Sequence, residues 1–184
     1  MRVRKLLLVV PLLLAFPLQA QELRVAELGE CALESGAVLA PCDVSYRTYG
    51  ELNANRDNAI LISTWFGGNS AAWTGILGGG LIDLEGFYTI VVDAFGNGVS
   101  TSPTTSPTQG GEAFPLVSIG DMVHSQHRLV TDVMELDGLY AVMGISMGGI
   151  QTFQWIVGHP DFMDNAISIV GSPRMDPYNL LLFH

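Results

Sequence analysis

Lysine is almost missing from this chain. Lys5 is the sole example, and acidic residues outnumber basic ones by 18 to 8, for a net charge of −10. A surface so poor in cations is ill suited to phosphate backbones or anionic membranes, which sets aside nucleic-acid binding. Cysteine occurs twice, as Cys31 and Cys42. Neither has a nearby histidine or a metal-type spacing, so no zinc site or thiol catalysis is expected, and no cofactor motif is present. Charged residues make up only 14% of the chain against 48% hydrophobic ones. That balance excludes a disordered chain and gives one domain with a real core.

Long apolar runs are also scarce. The longest, Leu6–Leu18, follows Arg2, Arg4 and Lys5, is interrupted by Pro11 and Pro17, and leads to Leu18-Gln19-Ala20. It is too short to span a bilayer comfortably, and the small residue at its end suits signal peptidase. The expectation is a secretory signal peptide over 1–20, placing the protein in the periplasm or outside the cell, with no stable membrane span after cleavage. Cleavage after Ala20 removes three basic residues and no acidic one, taking the net charge from −10 to −13. In an exported protein the even cysteine count permits a disulfide, here closing a short loop near the mature N-terminus.

The remainder alternates apolar strands with helices. Strands are expected at Leu23–Leu28, Val44–Tyr49, Ala59–Ser63 (AILIS), Tyr88–Val92 (YTIVV), Leu139–Met143 (LYAVM) and Ala166–Val170 (AISIV). The short, mainly apolar runs AILIS and YTIVV suit buried strands of a parallel sheet. Ser118–Leu136 reads as a helix, opened by Ser118 and Asp121 at capping-box spacing. Met147–Gly158 reads as a second, ended by His159-Pro160. The Gly-, Ser-, Thr- and Pro-rich stretch Ala94–Gly111 is a loop, either a binding or lid element or a surface insertion. The fold class is therefore α/β, a mostly parallel sheet with flanking helices.

Gly144-Ile145-Ser146-Met147-Gly148 lies between the strand Leu139–Met143 and the helix Met147–Gly158. A chain that reverses so sharply strains the serine backbone and needs glycine two residues to either side. The serine hydroxyl then projects above the sheet, and the Met147 amide at the helix start is free to bind an oxyanion. A second amide has to come from the loop after AILIS. Trp65 is the first choice and Phe66, one residue on, the second; both also suit a lid or a core. A serine nucleophile needs a base. His124 and His127 share one helix face, His159 ends the second helix and His184 is the last residue, so none occupies the position after further strands where this chemistry places it.

Three segments together resemble the homoserine O-acetyltransferase family of the α/β-hydrolase superfamily: Tyr46-Arg47-Thr48-Tyr49-Gly50-Glu51-Leu52-Asn53, the run from Asp93 to Pro103, and Gly144 to Gln151 followed by Trp155. The resemblance runs from about Val44 to Arg174. It implies an α/β-hydrolase fold in which Ser146 is acylated and the Trp65 and Met147 amides form the oxyanion hole. The acyl donor would be a small molecule such as an acyl-CoA and the acceptor an alcohol. The catalytic Asp and His would lie beyond residue 184. Residues 21–174 would be the N-terminal part of the hydrolase domain and 175–184 the start of a lid, through which a homodimer would form. The chain would be a fragment, truncated before the lid and the last strands. Two departures stand against a simple transfer: the Asp93–Pro103 run lacks the cysteine and the Gly-Ser-Thr-Gly-Pro stretch of the methionine-synthesis enzymes, and an exported protein rarely meets acetyl-CoA. Three functions stay open: an acyltransferase, a secreted esterase with water as acceptor, and a non-catalytic binding protein. The 184-residue chain alone is expected to be inactive and poorly stable.

Overall fold

A computed structural model of the chain describes residues 22–82, 85–174 and 177. The expected signal peptide lies outside the described residues, as does the expected lid start apart from Pro177. The strands are β1 (Arg24–Glu27), β2 (Cys31–Ala32), β3 (Val38–Leu39), β4 (Asp43–Tyr49), β5 (Ala59–Ser63), β6 (Tyr88–Val92), β7 (Leu139–Ile145) and β8 (Met163–Ile169). The α-helices are α1 (Trp73–Gly78), α2 (Ile119–Arg128) and α3 (Met147–Gly158).

Six strands form one sheet in the order β1-β4-β6-β5-β7-β8. β6, β5, β7 and β8 are mutually parallel, while β4 runs antiparallel to both β6 and β1. This is the mostly parallel sheet with flanking helices expected from the apolar runs. Alternation along the buried strands divides the core between two faces. Leu61, Ile90, Val92 and Val142 pack with Leu129, Val130 and Trp155 on one side. Ile60, Ile62, Val91, Ala141 and Met143 pack with Trp73 and Leu77 on the other.

The expected helix Ser118–Leu136 is not one uniform helix. Ser118 caps α2, and the box is complete: the Asp121 amide donates to the Ser118 hydroxyl and the Ser118 amide to the Asp121 carboxylate. Beyond Arg128 the chain widens into a π-helical turn, Leu129–Val133. Thr131 is the reason: its hydroxyl donates to the His127 carbonyl at 2.9 Å, and the Met134 amide then reaches back to Leu129. The last strand also differs from expectation, starting earlier at Met163 and ending at Ile169, because Val170 adopts a positive φ of 47°.

Cys31 and Cys42 are joined in a disulfide across a sequence separation of 11. The bridge ties the small β2–β3 ribbon to the start of β4, where the Leu28 amide also donates to the Cys42 carbonyl at 3.0 Å. A closed loop of this length restricts the unfolded chain enough to contribute about 2–3 kcal/mol. Thermal melts with and without reductant should separate by that amount, and Cys42→Ser should melt with the reduced protein.

Candidate active site

β5 and β7 are neighbours in the sheet, with Ser63 paired to Gly144. Trp65 and Ser146 each lie two residues past that pair, at the C-terminal edge of the parallel strands, where open α/β sheets carry their sites. Ser146 is exposed and adopts φ 57° and ψ −118°, a conformation that costs a non-glycine residue about 1–3 kcal/mol. Its amide donates to the Ile169 carbonyl at 2.9 Å and its carbonyl accepts from the Ile150 amide at 3.0 Å, so the corner is fixed from both sides.

The glycines around it leave no room for side chains. A Cβ on Gly144 would lie 2.2 Å from the Gly148 carbonyl carbon, and one on Gly148 would lie 2.3 Å from the Ser63 carbonyl oxygen. The elbow therefore packs backbone on backbone against the end of β5. Met147 is the first residue of α3, so its amide has no partner within the helix. The Trp65 amide makes no hydrogen bond to another described residue. Phe66, the alternative donor, is 77% exposed. The Trp65 ring packs on Trp73 at 5.7 Å and against Gly68, where a Cβ would meet the indole at 2.4 Å.

The loop carrying Trp65 is anchored by a residue that sequence reading did not single out. Asp93, buried at the end of β6, accepts from the Ser70 amide and the Ser70 hydroxyl, both at 2.7 Å, and from the Asn97 side chain at 3.0 Å. Burial raises its carboxyl above the usual range, while these hydrogen bonds and the charge of Arg47 act in the opposite sense. The stretch after Asp93 is neither a free lid nor a loose insertion in its first part. Ser100, Thr101 and Ser102 are buried, and the Ser100 and Thr101 hydroxyls accept from the amides of Ser45 and Asp43 at the start of β4. Two further buried side chains had been given no role: Gln126, and Gln151, which closes the elbow segment Gly144 to Gln151. A buried carboxamide has to find partners, but residue order alone does not say which.

None of the described histidines is brought to Ser146. His159 ends α3, at the far end from the serine and about 20 Å along the axis. His127 stacks on it at 3.9 Å, with Trp155 and Phe162 alongside. His124 is exposed on α2. Burial lowers both stacked imidazoles from the ordinary histidine value, and neighbouring histidine charge lowers them further. A lowered folded value means that the native state binds fewer protons than the unfolded chain, so this contribution is complete above about pH 6.5 and is lost as pH falls through the lowered values. Asp93, with its raised value, has the opposite slope and acts in the carboxylate range. The melting temperature is therefore expected to fall between about pH 7 and about pH 5.5, and His127→Phe should flatten that fall.

Among the described residues no three His, Cys, Asp or Glu side chains are grouped to hold a metal, and no helix is long and apolar enough to cross a membrane.

Comparison with known proteins gives a consistent picture. The family model for the alpha/beta hydrolase fold matches residues 58–182. An ethyl acetate hydrolase of Pseudomonas veronii is 38% identical over 157 residues, which cover 84% of this chain and 45% of that protein. A homoserine O-acetyltransferase of Geotalea uraniireducens is 36% identical over 164 residues, covering 79% and 44%. The structure of the acetyl esterase MekB superposes with a TM-score of 0.82 at 34% identity, over 88% of this chain and 48% of that one. The chain spans about half the length of the relatives it matches.

Proposed function

The chain belongs to the alpha/beta hydrolase fold family, and from that premise we propose that it carries the nucleophile and oxyanion site of a serine acyl-transfer enzyme acting on short-chain acyl esters. One observation carries the reading. Ser146 is held in a strained, exposed conformation between β7 and α3, with the Met147 amide free beside it and the Trp65 loop across the β5–β7 register. In the proposed reaction the Ser146 oxygen bonds to the acyl carbon while its proton passes to a base. The bond from acyl carbon to leaving oxygen then breaks, that oxygen takes the proton, and acyl-Ser146 remains. The Met147 and Trp65 amides hold the negative oxygen of the tetrahedral intermediate. None of the described histidines reaches Ser146, so the base in this reaction is assigned to a residue outside the described ones.

The acyl group then passes to water, which regenerates the serine and releases a carboxylic acid. Similarity to an ethyl acetate hydrolase and to an acetyl esterase supports this acceptor. So does the export pattern of residues 1–20, since a periplasmic or secreted enzyme is separated from cytoplasmic acyl-CoA. The second reading, transfer to an alcohol such as homoserine, is supported by the similarity to a homoserine O-acetyltransferase. One experiment divides them. The full-length protein should release acetate from ethyl acetate with no added alcohol. CoA release from acetyl-CoA that rises with homoserine, with no ester hydrolysis, would instead make it the acyltransferase.

A further inference from the structure

Gln126 and Gln151 are 1% and 0% exposed, and they meet beneath the elbow. Their orientation follows from a neighbour. The Trp155 indole nitrogen can only donate, and it lies 2.9 Å from one end of the Gln126 amide, so that end is the oxygen. The Ser63 hydroxyl donates to the same oxygen at 3.0 Å. The Gln126 amide nitrogen then faces Gln151 at 2.6 Å, which makes the facing atom of Gln151 its oxygen. The Gln151 amide nitrogen is left pointing at two backbone carbonyls, Thr64 at 3.2 Å and Met147 at 3.3 Å.

Those carbonyls belong to the place where the oxyanion donors sit. The Thr64 carbonyl and the Trp65 amide are the two ends of one planar peptide, and in a trans peptide they point in opposite directions. A donor that holds the Thr64 carbonyl therefore also fixes the direction of the Trp65 N–H, opposite to that carbonyl, where it donates to no other described residue. It also polarises the peptide, which strengthens that N–H as a donor. The same nitrogen grips Met147, whose own amide is the other donor. We propose that Gln151 is a positioning residue for the oxyanion site, aiming the Trp65 N–H and locking it to Met147, with Trp155 and Gln126 fixing which way Gln151 faces. This inference rests on the acyl-serine reading above.

Three variants of the full-length protein test it. Gln151→Met keeps the volume and removes both donated bonds, so kcat for ester hydrolysis should fall about 10–100-fold with KM within about twofold. Inhibition by phenylboronic acid, whose serine adduct carries an oxyanion, should weaken by the same factor. Gln151→Glu can donate to Thr64 only while protonated, so its kcat relative to the unmodified protein should rise as pH falls. Leu139→Ala, a core truncation at the opposite end of β7, should lower the melting temperature and leave kcat unchanged. Unchanged kcat and boronate affinity in Gln151→Met would overturn the proposal, as would a pH-independent ratio for Gln151→Glu. Absent turnover, or turnover that survives Ser146→Ala, would overturn the acyl-serine reading and this inference with it. Turnover lost in Ser146→Ala but intact in Gln151→Met would overturn this inference alone.

Discussion

Ser146→Ala in the full-length protein is expected to lower kcat by about 10⁴–10⁶-fold while leaving the melting temperature close to that of the unmodified protein. The two halves of this result have different causes. Activity is lost because, in the proposed reaction, the hydroxyl oxygen forms the acyl bond and alanine has none. Stability is kept because the serine side chain makes no capping bond to α3. The backbone bonds through the Ser146 amide and carbonyl are equally available to alanine. Alanine also inherits the same strained φ of 57°, so the strain is neither relieved nor increased. Ser146→Gly separates the terms: it should abolish turnover equally and raise stability by about 1 kcal/mol, because glycine adopts a positive φ without steric cost. Paired kcat and thermal-melt measurements on the two variants check both statements.

Gly148→Ala should instead remove the fold along with the activity. The added Cβ would stand 2.3 Å from the Ser63 carbonyl oxygen, 3.1 Å from its carbon and 3.4 Å from the Thr64 oxygen. All three are backbone atoms at the end of a fully buried central strand, so relief requires parting α3 from β5. That separation would also break the hydrogen bond from Gln151 to Thr64 and expose the buried Gln126 and Gln151 amides. A cost of about 3 kcal/mol or more is expected, read as a lower urea midpoint or loss of soluble protein. Gly75→Ala is the contrasting case. Gly75 lies in α1 with nothing within 4 Å of an added Cβ, so the change should stabilise by about 0.5–1 kcal/mol through helix propensity alone.

Much of this arrangement was legible from residue order. AILIS and YTIVV form strands with the expected bounds, and α3 has the expected ends, because a run of buried apolar residues admits few alternatives. The elbow was legible because its glycines answer to a backbone requirement that no other residue meets. The π turn after α2 was not legible: apolar periodicity continues through Leu129–Val133, and only the local competition of the Thr131 hydroxyl for the His127 carbonyl widens the helix. Short β2, β3 and α1 carry too few residues to show a period. The roles of Asp93 and Gln151 were hidden for a different reason. Each is an ordinary polar residue until the sheet order places β5, β6 and β7 side by side, and only then does its side chain reach a loop 23 residues away, from Asp93 to Ser70, or 87 residues away, from Gln151 to Thr64. Ser146 is thus local information, whereas what holds its surroundings is tertiary.

Acyl transfer through Ser146 requires a covalent acyl-serine during turnover. Peptide mass spectrometry of the full-length protein, mixed with an acetyl ester and quenched in acid during turnover, detects it. The peptide containing Ser146 should gain the mass of one acetyl group, and the same peptide of Ser146→Ala should gain none. Sustained ester turnover with no acetyl on that peptide, or with acetyl on another residue that persists in Ser146→Ala, would rule out acyl transfer through Ser146.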